Sequence, residues 1–216
     1  MPLPPLPQMI TAIGGLGTAA FGLVDATKVF GGGANRIGFS GIRSAVMPLT
    51  PAAAAGLPQN RILDTVRANW FNGTDLASQK AIAKSLIKLN LDPGNANAVA
   101  AATGVDPARL TAIATSISTG TVLTPAQSDF FARFDLIITA MLDQAFQHAD
   151  QVYRNGTRAL ATLFAIGLAL AGAGILHVNP WTGLLIGLLA TPLAPIAKDL
   201  STALATAVNT LQMVKK

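Results

Sequence analysis

The chain has 216 residues, of which 51% are hydrophobic and only 12% are charged. Soluble domains typically carry about 25% charged residues, so the composition favours a membrane protein over a soluble one. The formal net charge of +5 comes from basic residues scattered along the chain. This pattern suits contact with anionic lipid head groups and argues against a nucleic-acid partner. The absence of cysteine excludes disulfides, thiol catalysis and thiolate metal sites.

Residues 1–30 are predicted to form an N-terminal transmembrane helix. The stretch from Met9 to Val24 has no charge and reaches about 24 Å as a helix. Extending it to Phe30 takes in Asp25 and Lys28, which stand at i,i+3 spacing. A cleaved signal peptide is the alternative, but the opening "MPLPPLPQ" has four prolines and no basic residue, so we predict a retained helix. Asp25 is either an intramembrane functional acid or a partner of Lys28 at the membrane boundary, and we expect the pairing.

Glycine and proline are dense in residues 31–57, which we interpret as a linker that includes a membrane-exit turn. The segment lacks the GxxxxGKS/T pattern of a phosphate-binding loop and the strand that should precede one. No nucleotide site is therefore expected here.

Residues 58–157 are predicted to form a cytoplasmic helical region. Its short helices have clear start signals, with Thr74 or Asp75 as one cap and Asp106, followed by Pro107, as another. The apolar face of the first helix comprises Ile62, Leu63, Val66 and Trp70, and that of the second Leu76, Ile82, Leu86 and Leu89. Nothing alternates strongly enough to argue for a sheet.

A longer helix is predicted to start at "TPAQ", where Thr124 and Gln127 form a capping box. Its apolar stripe comprises Phe130, Phe134, Ile138, Met141, Ala145 and Val152. The pattern is compatible with a helix that continues towards the next span, with Gly156 as its weak point. The stripe needs a partner, either the small domain or the same helix of another subunit.

Residues 158–200 are predicted to form a transmembrane hairpin. Residues 159–178 are apolar over twenty positions, about 30 Å of helix, which matches a bilayer core. The loop "VNPWTG" supplies a turn signal and an interfacial tryptophan. The chain is then apolar to Ala197, and Pro192 and Pro195 loosen the inner end of this second leg.

Basic residues flank the predicted spans on one side only. The charges expected at the membrane boundary are Asp25, Lys28, Arg154, Arg158 and Lys198. The excess of lysine and arginine on that side predicts an outer N-terminus, a cytoplasmic central region and a cytoplasmic C-terminus in a bacterial-type inner membrane. Residues 201–216 are predicted to be an amphipathic C-terminal tail.

Small residues recur in the spans at intervals that allow helices to approach closely. The candidate packing residues are Gly15, Ala19, Gly167, Ala171, Gly183 and Gly187. Because lipid supplies no hydrophobic drive between helices, such residues favour a tightly packed bundle or an oligomer.

No catalytic, cofactor or metal site is predicted. His148 has acidic neighbours but no second histidine at ligand spacing, so we expect a solvated helical face. His177 is interpreted as a marker of the outer interface. A membrane enzyme would have to rely on His148, Asp150, Arg154 and Arg158.

Two stretches, "LDQAFQHADQVYRNGTRALATLFAIGLALAGAGILHVNP" and "APIAKDL", carry an acidic helix leading into an apolar hairpin that ends in proline, aspartate and leucine. The pattern rests on Asp143, Asp150, Tyr153, Arg154 and Arg158. Over residues 130–205 the chain resembles uncharacterised small multi-pass bacterial membrane proteins with a C-terminal transmembrane hairpin. The resemblance implies a topology and no particular activity.

The sequence therefore predicts an all-α integral membrane protein with three transmembrane helices and a small cytoplasmic helical domain. The expected function is that of a non-catalytic accessory, anchoring or assembly subunit of a larger membrane complex or of a homo-oligomer. Its expected partners are membrane lipids and other membrane subunits or itself. The alternative is a pore or transport component with Asp25 lining the path.

Overall fold

A computed structural model describes residues 6–53 and 57–195, and every regular element in these ranges is helical. The α-helices are α1 (Leu6–Thr27), α2 (Phe39–Val46), α3 (Gln59–Phe71), α4 (Leu76–Leu89), α5 (Ala96–Thr103), α6 (Pro107–Ser118), α7 (Pro125–Ile175) and α8 (Pro180–Pro195). Two 3-10 turns, Gly33–Arg36 and Met47–Leu49, flank α2. The predicted all-α class is confirmed.

The chain divides into two compact units. Unit 2 is Asn35–Tyr153, and unit 1 comprises, among the described residues, 6–34 and 154–195. α7 contributes to both units, because it runs without a break through Gly156. The predicted continuation of the long helix is therefore confirmed, whereas unit 2 starts well before the expected residue 58.

The predicted linker 31–57 is, in its described part, folded structure. α2 and the turn that follows it bury Ile42, Val46 and Leu49 completely in the core of unit 2. Their i,i+4,i+7 spacing is that of one helix face. Gly38 lies just before α2 with φ +88°. It therefore allows the chain to turn into the helix and does not interrupt the helix itself. The linker interpretation was wrong for this segment.

Local start signals were read correctly. Asp75 and Asp106 each accept a hydrogen bond from the backbone N–H three residues on, at 2.9 Å and 2.8 Å. Thr124 and Gln127 exchange backbone and side-chain hydrogen bonds of 2.9 Å and 3.3 Å, which is the capping box. These caps satisfy N–H groups that a helix start leaves without intrahelical partners.

The buried face of α4 agrees with the prediction only in part, since Leu76 and Leu86 of the predicted stripe are half-buried against the core of unit 2. α3 buries Ile62, Val66 and Trp70 as expected, but α4 buries Gln79, Ala83 and Ile87. Leu89, expected in the stripe, has 66% of its surface exposed. Each of these three buried residues is followed directly by a lysine that pairs with an aspartate of α7. These ion pairs favour the orientation in which Gln79, Ala83 and Ile87 face the core.

α7 supplies the largest apolar stripe of unit 2. Its fully buried side chains are Phe134, Ile138, Leu142, Phe146 and Ala149. Phe134 and Ile138 were predicted, whereas Val152 of the predicted stripe is 38% exposed. The stripe finds its partner within unit 2 itself.

The core of unit 1 consists mainly of alanine. Its buried members are Ala20, Val24, Ala34, Ala161, Ala165 and Ala190. Short side chains bring helix backbones close together, as is typical of helix contacts in lipid.

Three consecutive glycines follow the end of α1 at Thr27, after the turn residues 28–30. Gly31, Gly32 and Gly33 have φ values of 61°, 93° and 39°, which L side chains rarely adopt. A Cβ at Gly33 would also lie 2.0 Å from the carbonyl oxygen of Thr27. The Thr27 hydroxyl accepts a hydrogen bond from the N–H of Ala34 at 3.2 Å. This bond joins the residue before the turn to the residue after it.

Two helices are long and apolar enough to cross a membrane. They are α1, over Met9–Thr27, and α7, and α8 is a shorter apolar helix. Only 22% of the apolar stretch of α1 and 17% of that of α7 is buried within the chain, whereas the core helix of a soluble protein would be mostly buried.

Candidate helix-packing surfaces

Two of the predicted packing residues, Gly183 and Gly187, form the contact within the hairpin. A Cβ at Gly187 would lie 2.5 Å from the Cα of Ile166, and one at Gly183 would lie 3.0 Å from the Ala169 carbonyl oxygen and 3.0 Å from the Ala173 Cβ. α8 therefore packs directly on the backbone of α7 through these glycines. A side chain at Gly187 would force the two helices apart.

Gly17 makes the corresponding contact between α1 and α8, and the sequence analysis missed it. A Cβ at this position would lie 2.1 Å from the Ala190 carbonyl oxygen and 3.0 Å from the Ala194 Cβ. The available signal was the spacing of Gly17, Ala20 and Val24 at i,i+3,i+7, which is one face of a helix.

The other four predicted packing residues lie on the exterior. Gly15, Ala19, Gly167 and Ala171 are exposed. A Cβ at Gly15 or Gly167 would meet no atom of the described residues within 4 Å. These four residues therefore contact no other helix within the described part of the chain.

The outward face of α1 is made of small residues in a regular pattern. Ala12, Gly15, Ala19, Gly22 and Ala26 are all exposed and follow one another at intervals of 3, 4, 3 and 4. This is the seven-residue period with which two helices pack side by side. The face lies opposite the buried face that contains Gly17.

The predicted boundary charges have different environments. Lys28 and Asp25 form an ion pair of 2.6 Å, and 70% of the Asp25 side chain is exposed, so the expected pairing is confirmed. Asp25 lies on the outer side of α1 and, among the described residues, lines no space between helices of unit 1. Arg154 and Arg158 are exposed on α7. Lys198 and the tail 201–216 lie outside the described residues.

Both histidines are exposed. His177 follows α7 in the left-handed backbone region, at φ 54°, with its Nδ1 3.1 Å from the Ile175 carbonyl oxygen. Within residues 6–53 and 57–195 no three histidine or aspartate side chains are grouped as a metal site would need. His148 lies on α7 in unit 2 with its side chain exposed.

A row of ion pairs joins α4 to α7 within unit 2. Lys84 and Lys88 contact the two carboxylate oxygens of Asp135 at 3.1 Å and 3.0 Å, and Lys80 pairs with Asp143. The lysines and the aspartates each repeat at multiples of four, so two antiparallel helices present matching rows. Burial raises the pKa of Asp135, but the hydrogen bonds and charges of Lys88 and Lys84 outweigh it and hold that pKa below its ordinary value.

Trp70 ties together the two ends of unit 2. Its Nε1 donates to the Asn35 carbonyl oxygen at 2.7 Å, and its ring meets that of Tyr153 edge-on at 6.0 Å. Asn35 and Tyr153 are the first and last residues of unit 2. Beside them, a Cβ at Gly38 would lie 2.4 Å from the Ala149 carbonyl oxygen. The sequence predicts Trp70 in the core, but it gives no signal for the contacts of Trp70 with Asn35 and Tyr153.

The fold and these surfaces define an all-α protein with two helices able to span a membrane and helix contacts built from small residues. No protein family, curated protein or solved structure matched the chain. The resemblance to small multi-pass bacterial membrane proteins therefore stays a prediction.

Proposed function

We propose that the chain is a non-catalytic integral membrane protein that serves as an anchoring or assembly subunit and associates laterally with itself or with another membrane protein. In this proposal α1, the distal part of α7 and α8 cross a bacterial-type inner membrane. Unit 2 then lies in the cytoplasm. The observation that carries the proposal is the outward row of small residues on α1, including Gly15 and Ala19.

The exposure of the apolar helices supports membrane insertion. Only 22% and 17% of the apolar stretches of α1 and α7 are buried within the described chain. Lipid is the solvent in which that exposure costs nothing. α8 is short for a span, about 24 Å from Pro180 to Pro195, but it packs along α7 through Gly183 and Gly187, and this contact supports its insertion beside the longer helix.

The outward row on α1 supports lateral association. Positions that face only lipid have no need of small side chains, whereas close contact between helix backbones requires them. Gly167 and Ala171 give α7 a second exposed group of small residues. A partner helix seated on α1 would bury the row Ala12, Gly15, Ala19, Gly22 and Ala26.

Single-cysteine variants test the association cleanly, because the natural chain contains no cysteine. We expect a photoactivatable cross-linker attached to Gly15→Cys or Ala19→Cys to give cross-linked products in native membranes, at twice the chain mass for self-association or at another fixed mass for a partner. Leu189→Cys is the matched control, since Leu189 is 51% exposed on α8 and its neighbour Ala190 lies against Gly17 of α1, which places it at the depth of the row but on another helix. Exclusively monomeric protein at both row positions contradicts the proposal.

A second experiment tests insertion and orientation. In intact cells an impermeant maleimide should label Thr182→Cys, at the exposed hairpin tip, and should label Thr119→Cys of unit 2 only after lysis. The reverse pattern would refute the orientation. Recovery of the chain without detergent would refute insertion.

A further inference from the structure

A groove in unit 2 lies beside the ion pairs that join α4 to α7, and we call it the α4–α7 groove. Its volume is about 570 Å³, within the range that is usual for small-molecule sites. Phe131 and Leu136 belong to its apolar wall, and Lys84, Lys88 and Asp135 belong to its charged wall. Leu136 has 68% of its surface exposed. Charged and uncovered apolar side chains therefore line one space, which suits a ligand that has both characters.

The lysines of α4 outnumber the aspartates with which they pair. Lys80 and Asp143 form a pair of their own. Lys84 and Lys88 instead share the carboxylate of Asp135, and among the described residues neither pairs with another carboxylate. Burial raises the pKa of Asp135, but the two lysines outweigh it and hold that pKa below its ordinary value, so this carboxylate is ionised. It neutralises one lysine, and one positive charge is left at the α4–α7 groove.

Lys88 is placed to offer this surplus charge to an external anion. Its Nζ donates one hydrogen bond, to Asp135 at 3.0 Å, whereas Lys84 donates to both Asp135 and Thr139. An ammonium has more N–H donors than the single bond of Lys88 uses. The Lys88 Nζ also lies 5.1 Å from the centre of the Phe131 ring. An anionic group held by Lys88 would therefore have apolar surface directly beside it.

We propose that the α4–α7 groove binds a small organic monoanion. Its carboxylate lies at Lys88, and its aromatic or aliphatic body lies against Phe131 and Leu136. The single negative charge matches the single surplus positive charge. This binding is a function separate from the proposed membrane anchoring, because every residue that carries it belongs to unit 2.

The test uses the full chain in a non-ionic detergent and a benzoate that carries a photoactivatable diazirine. We expect saturable attachment of this probe to residues 84–88 of α4 or 131–136 of α7, located by mass spectrometry of peptides. An excess of 2-naphthoate should compete with the probe. The corresponding neutral benzamide should need about a five-fold higher concentration for half-saturation, as is expected for the loss of one exposed charge pair.

Two single variants should change the affinity in opposite directions. Lys88→Gln leaves Lys84 paired with Asp135 and removes the surplus charge, so it should raise the half-saturating probe concentration about five-fold. Asp135→Asn removes the carboxylate that competes for the same lysines, so it should lower that concentration by about the same factor. Both variants break an ion pair between the same two helices, and structural damage alone would therefore weaken binding in both.

Lys80→Gln is the matched control, because it removes a charge from the same row of α4 at the pair with Asp143. Arg109→Gln tests a smaller groove of about 270 Å³ that Arg109 lines with Phe130. Both variants should leave the half-saturating concentration unchanged. The inference is overturned by equal weakening in Lys80→Gln and Lys88→Gln, by weaker binding in Asp135→Asn, or by labelling that does not saturate. Attachment confined to residues 109–113 would also overturn it, since it would assign the probe to the smaller groove.

Discussion

Gly17→Ala tests whether the core of unit 1 depends on direct backbone contact. The new methyl group would lie 2.1 Å from the Ala190 carbonyl oxygen and 2.6 Å from its carbonyl carbon. Carbon–oxygen contacts normally lie at about 3.3–3.6 Å, so α1 has to withdraw from α8 by roughly 1 Å.

Withdrawal weakens the whole contact, because the buried side chains are short and cannot refill the gap. A gap of about 0.5–1 Å already forfeits a quarter to a half of each dispersion contact. Overpacking of this kind typically costs about 1–3 kcal/mol. Gly172→Ala and Gly174→Ala on α7 are the matched controls, since they lie outside the outward row of α1 and a Cβ at either position meets no described atom within 4 Å outside the adjoining helix backbone. Both should be neutral or slightly stabilising, because alanine favours the helix over glycine.

The assay measures opening of the bundle by thiol labelling. Val24→Cys introduces a smaller side chain at a position only 2% exposed in the core of unit 1, so maleimide reaches it only when the helices separate. In mild detergent the Gly17→Ala background should label about 5- to 150-fold faster, which corresponds to the expected cost. Equal labelling rates in the Gly17→Ala and Gly172→Ala backgrounds would refute the reasoning.

Two further predictions concern unit 2. Asp135→Asn removes the carboxylate shared by two lysines and should destabilise the unit by about 1 kcal/mol. The control variant Asp129→Asn changes an exposed aspartate and should have little effect. Unfolding followed by far-UV circular dichroism measures the difference between the two variants. The pKa of Asp135 is lowered in the folded protein, so its contribution to stability is complete above the ordinary aspartate pKa of about 3.9 and is lost as the pH falls through the folded pKa. If the destabilisation caused by Asp135→Asn does not decrease on acidification, this expectation is wrong. Trp70→Phe removes the hydrogen bond to Asn35 and should cost about 1–3 kcal/mol, while Trp181→Phe at the 72% exposed hairpin tip should leave the same unfolding transition unchanged.

Helix starts were predictable because they depend on neighbours in the chain. The caps at Asp106 and Thr124 use side chains and N–H groups only three residues apart. The missed helix α2 obeys an equally local rule, since Ile42, Val46 and Leu49 stand on one face. The density of glycine and proline in residues 31–57 favours a linker, but Gly38 lies just before α2 and Gly41 is the only one of these residues inside it.

The choice of buried face could not be predicted in the same way. Hydrophobicity alone favours Leu86 and Leu89 of α4 equally, yet Leu86 packs against the core beside the buried Ala83 and Ile87, while Leu89 is exposed. The rotation of α4 also depends on the aspartates of α7, which pair with lysines some fifty residues earlier in the chain. A helix cannot be assigned a face until its partner is known.

The sequence by itself determined the helical class, the caps, the Asp25–Lys28 pair and the presence of apolar helices long enough to cross a membrane. Each follows from composition or from contacts within one or two helical turns. Only the tertiary structure decided which small residues touch: Gly17, Gly183 and Gly187 face another helix of unit 1, while Gly15 and Gly167 face outward. Glycines in a helix are chemically alike, and only the position of a second backbone distinguishes one that permits contact from one that remains exposed.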